Sequence, residues 1–384
     1  MAETQYFMLP GPTQVPPRVL RAASMPMINH RGPEFKAVFT EVTALLKKVF
    51  NTENDLFIFT ASGSGGMEAS VSNFINPGER VLVASMGNFG SRYRDVCRKM
   101  GAEVDFVEFP WGTPVDARVI AQKLAEDKNR EIKAVFCQHN ETSTGVYNDL
   151  QAISLARGDH PALLIVDAVS SVGALPIKTD EWGLDVVVSA SQKGLMCPPG
   201  LAYMTVNERA WQAAEKCVNA CYYFSIKLAK EFLANSQTPF TPGVSTLFAQ
   251  REALRMIFEQ GLDEYIADHF FRRRLVRAGI EAMGLTYLAG EEWASPAVTA
   301  VHVPQGFKPS DIVAPLREKF NIVLAGGMGK LKESTFRIGH VGYMNVMDIV
   351  VALAGVELAL RRLGHPVVLG SGVAAAQELL AQGF

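Results

Sequence analysis

Between Asp55 and Val206, seven short apolar, β-rich runs alternate with helical stretches: DLFIFTASG, RVLVASMG, AEVDFVEFP, IKAVFCQHN, ALLIVDAVSS, DVVVSAS and GLAYMTV. That rhythm belongs to an α/β domain built on a mainly parallel sheet. The runs from Leu163 to Val166 and from Val186 to Val188 are continuously apolar, the pattern of strands covered by helices on both faces. Open parallel sheets bind ligands beyond the carboxyl ends of their strands, so the polar residues that follow these runs are the first place to seek chemistry.

A chain of 384 residues exceeds one ordinary core and predicts a large domain plus a smaller one. The opening LPGPTQVPP is a poor helix and reads as an extended arm over residues 1–17, before a helix that begins near Arg18. In QTPFTPG, two prolines and a glycine break the pattern between Thr238 and Gly243. This marks a hinge, and a long helical segment follows from Leu247. We expect residues 18–260 to form the large domain and residues 261–384 a small α+β C-terminal domain. The latter would hold a basic helix from Glu264 to Met283, strands in AVTAVHV, NIVLAGG and TFRIGHVG, a helix from Asn345 to Leu363, and a final helix in AAAQELLAQ.

The hydrophobic fraction of 48% against 20% charged residues is that of a compact chain with filled interiors. A formal net charge of -2 gives no general reason to bind nucleic acid or an anionic membrane, so the expected ligand is a small molecule. Five cysteines without C-x-x-C spacing suggest neither a disulfide framework nor a zinc site, and they fit a reducing cytoplasm. Cys217 and Cys221 stand at helical i, i+4 spacing, but no His or carboxylate joins them at ligand spacing, so no metal is expected. The start MAETQYFMLPGP lacks a long apolar segment, and the end AQGF matches neither a peroxisomal nor a lipidation signal. No apolar run is long enough to cross a membrane.

Three constellations follow strand ends. The first, Thr60-Ala61-Ser62-Gly63-Ser64-Gly65-Gly66-Met67-Glu68, runs through small residues into a helix. Free amides and hydroxyls at a helix N-terminus suit a phosphate, although a plain flexible strand-to-helix turn would read the same way. Its letters fit neither a P-loop, nor the dinucleotide fingerprint, nor the hydrolase elbow. The second is Asp167, at the end of a buried strand, where an unpaired carboxylate would be costly. A cationic ligand nitrogen would satisfy it, and so would a role capping the next helix. The third is Lys193, in Ser189-Ala190-Ser191-Gln192-Lys193-Gly194 before Pro198-Pro199-Gly200. A partly buried lysine there can lose its charge and act as a nucleophilic amine for Schiff-base chemistry, whereas a lysine standing alone is usually solvated.

A phosphate turn, then a strand-end Asp, then a strand-end Lys is the order in which fold-type I pyridoxal-phosphate enzymes present their cofactor site. The chain resembles the class V aminotransferases, in particular the alanine/serine-glyoxylate branch that includes ureidoglycine-glyoxylate aminotransferases. The likeness runs through LPGPTQVPPRVL, HRGPEF, TASGSGGMEA, GNFGSR, HNETSTGV, VDAVSSVGALP, SASQKGLMCPPG, TPFTPGVSTLFAQREAL and FRIGHVG. It implies a large domain with a mainly parallel seven-stranded sheet, a smaller α+β domain, and pyridoxal 5'-phosphate as cofactor. By matching position it implies that Ser62, Gly63 and Ser64 hold the phosphate and that Phe89 stacks on the pyridine ring. Thr142 would bond the ring hydroxyl or the substrate, Val169 would pack under the ring, and Gln192 would help position it. Asp167 would pair with the ring nitrogen, and Lys193 would form the covalent link and act as base. Thr241 would reach the phosphate of a neighbouring subunit, giving a homodimer with shared active sites. Arg337 would bind the substrate carboxylate through its bidentate fork. The chain departs from many relatives at Ala61 and Ser64 in the turn, and at Thr238, where some carry Tyr. His30 and Arg31 could approach the active site or simply open a helix.

The implied activity is transamination from a small amino acid (alanine, serine or ureidoglycine) to an oxo acid, chiefly glyoxylate. The runner-up is aspartate or another dicarboxylic donor, with Arg31 as a possible second carboxylate contact. Two further rivals are a lyase of the cysteine desulfurase type, which needs a nucleophilic cysteine on a mobile loop, and a catalytically silent subunit that keeps the fold.

Overall fold

The structure is a computed structural model that describes residues 5–383, so the first four residues of the arm and the final residue of AQGF lie outside it. The seven runs form the strands β1 (Asp55–Ala61), β2 (Arg80–Ser85), β3 (Glu103–Glu108), β4 (Ile132–Gln138), β5 (Leu163–Asp167), β6 (Val186–Ala190) and β7 (Gly200–Val206). They make one sheet in the order β1-β7-β6-β5-β4-β2-β3. Only β7 runs antiparallel to its neighbours, so the carboxyl ends of β1, β2, β4, β5 and β6 share one edge. The chain leaves β2 toward β3 on one side and returns to β4 on the other, which opens a crevice at that edge.

Both faces of the sheet are covered, as the continuous apolar runs require. On β5, Leu164 and Val166 enter one core while Leu163 and Ile165 enter the other. Helix Pro33–Phe50 seals the first face with Phe35, Val38, Phe39, Val42, Leu46 and Val49, which recur at helical spacing. The helix after QTPFTPG begins at Val244, three residues before Leu247, and runs to Gln260. Its Val244, Leu247, Phe248, Leu254 and Ile257 join that same core.

A third core collects Leu275 and Ile280 of helix Leu262–Ala282, Val301 and Phe336 of a three-stranded antiparallel sheet, and Leu353 and Val356 of helix Val346–Arg362. Asn345 caps that last helix in a reciprocal pair with Asp348. The segment NIVLAGG is not the single strand expected. Ile322–Val323 pairs in parallel with Tyr6–Phe7 of the arm, whereas Ala325–Gly326 pairs with Arg337 and Phe336. The arm therefore docks on the third core, with Met8 fully buried in it. The i, i+4 helical reading of Cys217 and Cys221 also fails, because helix Glu208–Lys216 ends before Cys217. Among the described residues no helix is long and apolar enough to cross a membrane, and no group of three His, Cys, Asp or Glu side chains could hold a metal ion.

Candidate active site

At the carboxyl edge of the sheet lies a cavity of about 220 Å³. Ser62, Gly63 and Ser64 line it after β1, Phe89 after β2, Thr142 after β4, Asp167 and Val169 at the end of β5, and Gln192 and Lys193 after β6. Nine of the sequence-predicted positions thus meet in one place because one sheet edge carries them all.

Helix Gly63–Ser72 starts at the cavity with Ser62 as its N-cap. The Ser62 carbonyl takes the amides of Gly65 and Gly66, which leaves those of Gly63 and Ser64 without a partner among the described hydrogen bonds. Two free amides at a helix N-terminus, beside two hydroxyls, are the donors an anionic phosphate needs. A Cβ at Gly63 would lie 2.8 Å from the Val169 side chain, so only glycine lets the helix start come this close to the floor of the cavity.

Asp167 is buried, and its Oδ1 accepts the Val169 amide at 2.9 Å. No helix follows it within the next turns, so the helix-cap alternative does not apply. Burial pushes its carboxyl up to about 6, against the bond from Val169, with the nearby Glu141 charge raising it further. A carboxylate so placed favours a cationic partner, and a protonated pyridine nitrogen is one. Gln192 adds a buried Oε1 with no hydrogen-bond partner among the described residues. The donor set therefore fits pyridoxal phosphate at three points: phosphate, ring nitrogen and aldehyde.

Lys193 supplies the third point. Its loop is tied down from both sides: Thr13 Oγ1 donates to the Lys193 carbonyl at 3.3 Å, and the Tyr265 hydroxyl donates to the Gly194 carbonyl at 2.6 Å. Its amine is pushed down to about 8, first by burial and then by the charge of Arg337, so a useful fraction is neutral near physiological pH. Arg337 is buried on the strand Thr335–Gly339. It donates from Nε to the Gly326 carbonyl at 2.9 Å and from Nη1 to the Thr142 carbonyl at 3.1 Å, which leaves Nη2 without a partner among the described residues.

Thr241 is not brought to this cavity. It is exposed and lines a separate crevice with Thr60, Tyr223 and Phe240. Arg31 is also elsewhere, donating to the Thr238 carbonyl at 2.7 Å and the Pro239 carbonyl at 3.0 Å. Four contributors were missed from the sequence. Arg92 lines the cavity, lies 4.6 Å from the Phe89 ring centre and donates to Ser64 Oγ. Asn140 also lines it and donates to Ser170 at 2.9 Å. Glu141 is buried against the start of helix Asn88–Lys99, and the Pro10 carbonyl accepts from Lys193. Arg92 stands within GNFGSR, and Asn140 and Glu141 within HNETSTGV, so the signal was the proximity of polar residues to strand ends already singled out. Among the described residues no cysteine lines the cavity, and burial pushes the thiols of Cys97 and Cys137 up to about 12. This is the opposite of what a desulfurase nucleophile needs.

The family described as Aminotransferase class-V matches residues 5–345. The chain is 41% identical to the soluble hydrogenase 42 kDa subunit of Anabaena cylindrica, over 99% of this chain and all of that protein. It is 38% identical to the L-aspartate–glyoxylate aminotransferase of Paracoccus denitrificans, covering 96% and 94% of the two chains. It is also 38% identical to the serine–glyoxylate aminotransferase of Arabidopsis thaliana, covering 98% and 95%. Among solved structures, the ureidoglycine-glyoxylate aminotransferase of Bacillus subtilis superposes with a TM-score of 0.93 at 31% identity, over 99% of each chain.

Proposed function

The chain belongs to the class V aminotransferase family, which depends on pyridoxal phosphate, and from that premise we propose that it transfers the amino group of a small neutral amino acid to glyoxylate. The observation that carries the donor class is the number of guanidinium groups able to read carboxylates. Arg337 keeps Nη2 free among the described residues and its charge acts on the Lys193 amine, whereas Arg31 is committed to the 238–239 backbone and Arg92 faces the phosphate turn through Ser64. A dicarboxylic donor would want a second cation opposite Arg337, and alanine, serine or ureidoglycine would not.

Bound here, pyridoxal phosphate supplies an aldehyde and a ring that takes up the electrons left when the donor Cα–H bond breaks. The residues we assign do the rest. Ser62, Gly63 and Ser64 would hold the phosphate, Phe89 and Val169 would pack against the ring, and Thr142 and Gln192 would position it. Asp167 would hold the positive charge on the ring nitrogen, and Arg337 would hold the substrate carboxylate. Lys193 Nζ would tether the cofactor covalently and serve as the base at the donor Cα.

We also propose a homodimer in the cytoplasm, each chain having an arm over residues 1–17, a large cofactor-binding domain over 18–260 and a small C-terminal domain over 261–384. Thr241 supports the dimer: it is exposed on a surface that carries Tyr222 and Tyr223, where a neighbouring subunit could use it. Five free cysteines fit a reducing compartment. Sedimentation of the purified protein and cell fractionation test these two points.

The donor assignment is tested by kcat/KM for alanine, serine and aspartate, each with glyoxylate, pyruvate and 2-oxoglutarate. Alanine or serine with glyoxylate should lead. An aspartate pair ahead by tenfold, about 1.4 kcal/mol of transition-state preference, refutes the small-donor reading and leaves the aminotransferase intact.

A further inference from the structure

Helix Asn88–Lys99 carries Phe89 in its first turn, yet its N-cap is Gly87, which has no side chain to satisfy the opening amides. Those amides are satisfied from another segment. Asn88 donates to Ser143 Oγ at 2.9 Å, and Phe89 and Gly90 donate to Glu141 Oε2 at 2.9 and 3.2 Å. Ser143 holds the other carboxylate oxygen, donating to Oε1 from its amide at 3.1 Å and from its hydroxyl at 2.6 Å. Glu141 and Ser143 are both fully buried. The fit is tight enough that a Cβ at Gly87 would lie 2.4 Å from Glu141 Cγ. Between the two capping residues stands Thr142, whose side of the turn faces the cavity and whose carbonyl receives Nη1 of Arg337.

We propose that Glu141 is a positioning residue that sets Phe89 over the cofactor ring and, through the turn it shares with Thr142, sets Arg337 for the substrate carboxylate. The proposal rests on the assignment of Phe89 and Arg337 above. Four donors converge on one carboxylate, so its two oxygens leave the helix start and the 141–143 turn a single relative placement. Burial raises the Glu141 carboxyl and these donors oppose that rise, while the Glu141 charge in turn raises Arg337 against its own burial. A carboxylate that served only to plug a helix end would need no link to the substrate anchor. Here one turn of three residues reaches both the ring-stacking residue and the carboxylate anchor.

The test uses the cofactor-loaded protein and two readouts, the visible circular dichroism of the bound cofactor and the KM for glyoxylate. Glu141→Gln keeps the side-chain volume but presents an NH2 group where an oxygen accepted. It should reduce or invert the visible band and raise KM about tenfold or more, the usual loss for a charge-assisted hydrogen bond, with kcat changing less. Ser143→Ala, which removes one donor to Oε1 and the acceptor for Asn88, should move both readouts in the same direction by less. Parental values for either readout in Glu141→Gln overturn the linkage. If that variant does not fold, parental values in Ser143→Ala overturn it. A general loss of the small-donor reading would instead appear as a changed donor order in the parent protein, with both variant effects retained.

Discussion

Lys193 Nζ donates to the Pro10 carbonyl at 2.6 Å, joining the strand-end lysine to a residue of the arm 183 positions earlier. The neighbour of that carbonyl, Gly11, has φ of +125° and stands so close that a Cβ would lie 2.3 Å from Nζ. Gly11→Ala must therefore either strain the arm, at a cost of about 1–3 kcal/mol, or displace the lysine. We expect kcat to fall at least about tenfold, with the far-UV spectrum unchanged. An alanine variant with parental turnover would show that the arm does not set the lysine's place.

Lys193→Ala should abolish covalent attachment of the cofactor and all turnover while leaving the fold intact, because no other lysine among the described residues lines the cavity. Visible absorbance after gel filtration and far-UV circular dichroism check both halves of that expectation. Turnover near the parental rate would remove Lys193 from the chemistry.

Asp167→Asn separates what the carboxylate does for the cofactor from what it costs the fold. The folded-state carboxyl is raised from 3.8 to about 6. Its contribution to the stability of the cofactor-free protein is thus complete below pH 3.8 and lost as pH rises through 6. Above that window the buried charge is a liability of up to about 3 kcal/mol that asparagine does not carry. The cofactor-free variant should therefore resist urea better than the parent at neutral pH, with the advantage shrinking toward pH 4. The same change should weaken cofactor binding. A variant that is less stable at neutral pH and binds the cofactor as tightly as the parent contradicts both statements.

The sheet was legible because its evidence is local: seven apolar runs, each long enough for one strand and punctuated by turns, stand in the order the chain uses them. Asp167 and Lys193 were legible for the same reason, since a polar residue closing a buried run marks a strand end and strand ends share an edge. What escaped depends on backbone partners distant in sequence. Nothing in LPGP says that the Pro10 carbonyl meets an amine 183 positions on. Glu141 caps a helix that starts more than 50 positions earlier, so no capping pattern within that helix could announce it. NIVLAGG reads as one strand by composition, but its two halves find different partners, Tyr6–Phe7 and Phe336–Arg337. Thr241 could be placed by likeness alone, and the cavity that gathers Asp167 and Lys193 does not contain it.

The amine of Lys193 titrates in a range where its reactivity can be followed directly. Burial and the Arg337 charge push it down to about 8, while Asp167 partly offsets them. Only the neutral amine attacks an aldehyde, so the rate of covalent cofactor uptake by the cofactor-free protein should climb with pH and level off above about 8. Arg337→Ala removes one of the two main causes of the depression and leaves burial in place. Its midpoint should move upward, toward the 10.5 of an unperturbed lysine without reaching it. Stopped-flow absorbance across that range measures both curves. A midpoint that stays where it was in Arg337→Ala, or moves down, would mean that the guanidinium does not act on the amine, and that Arg337 serves the substrate carboxylate alone.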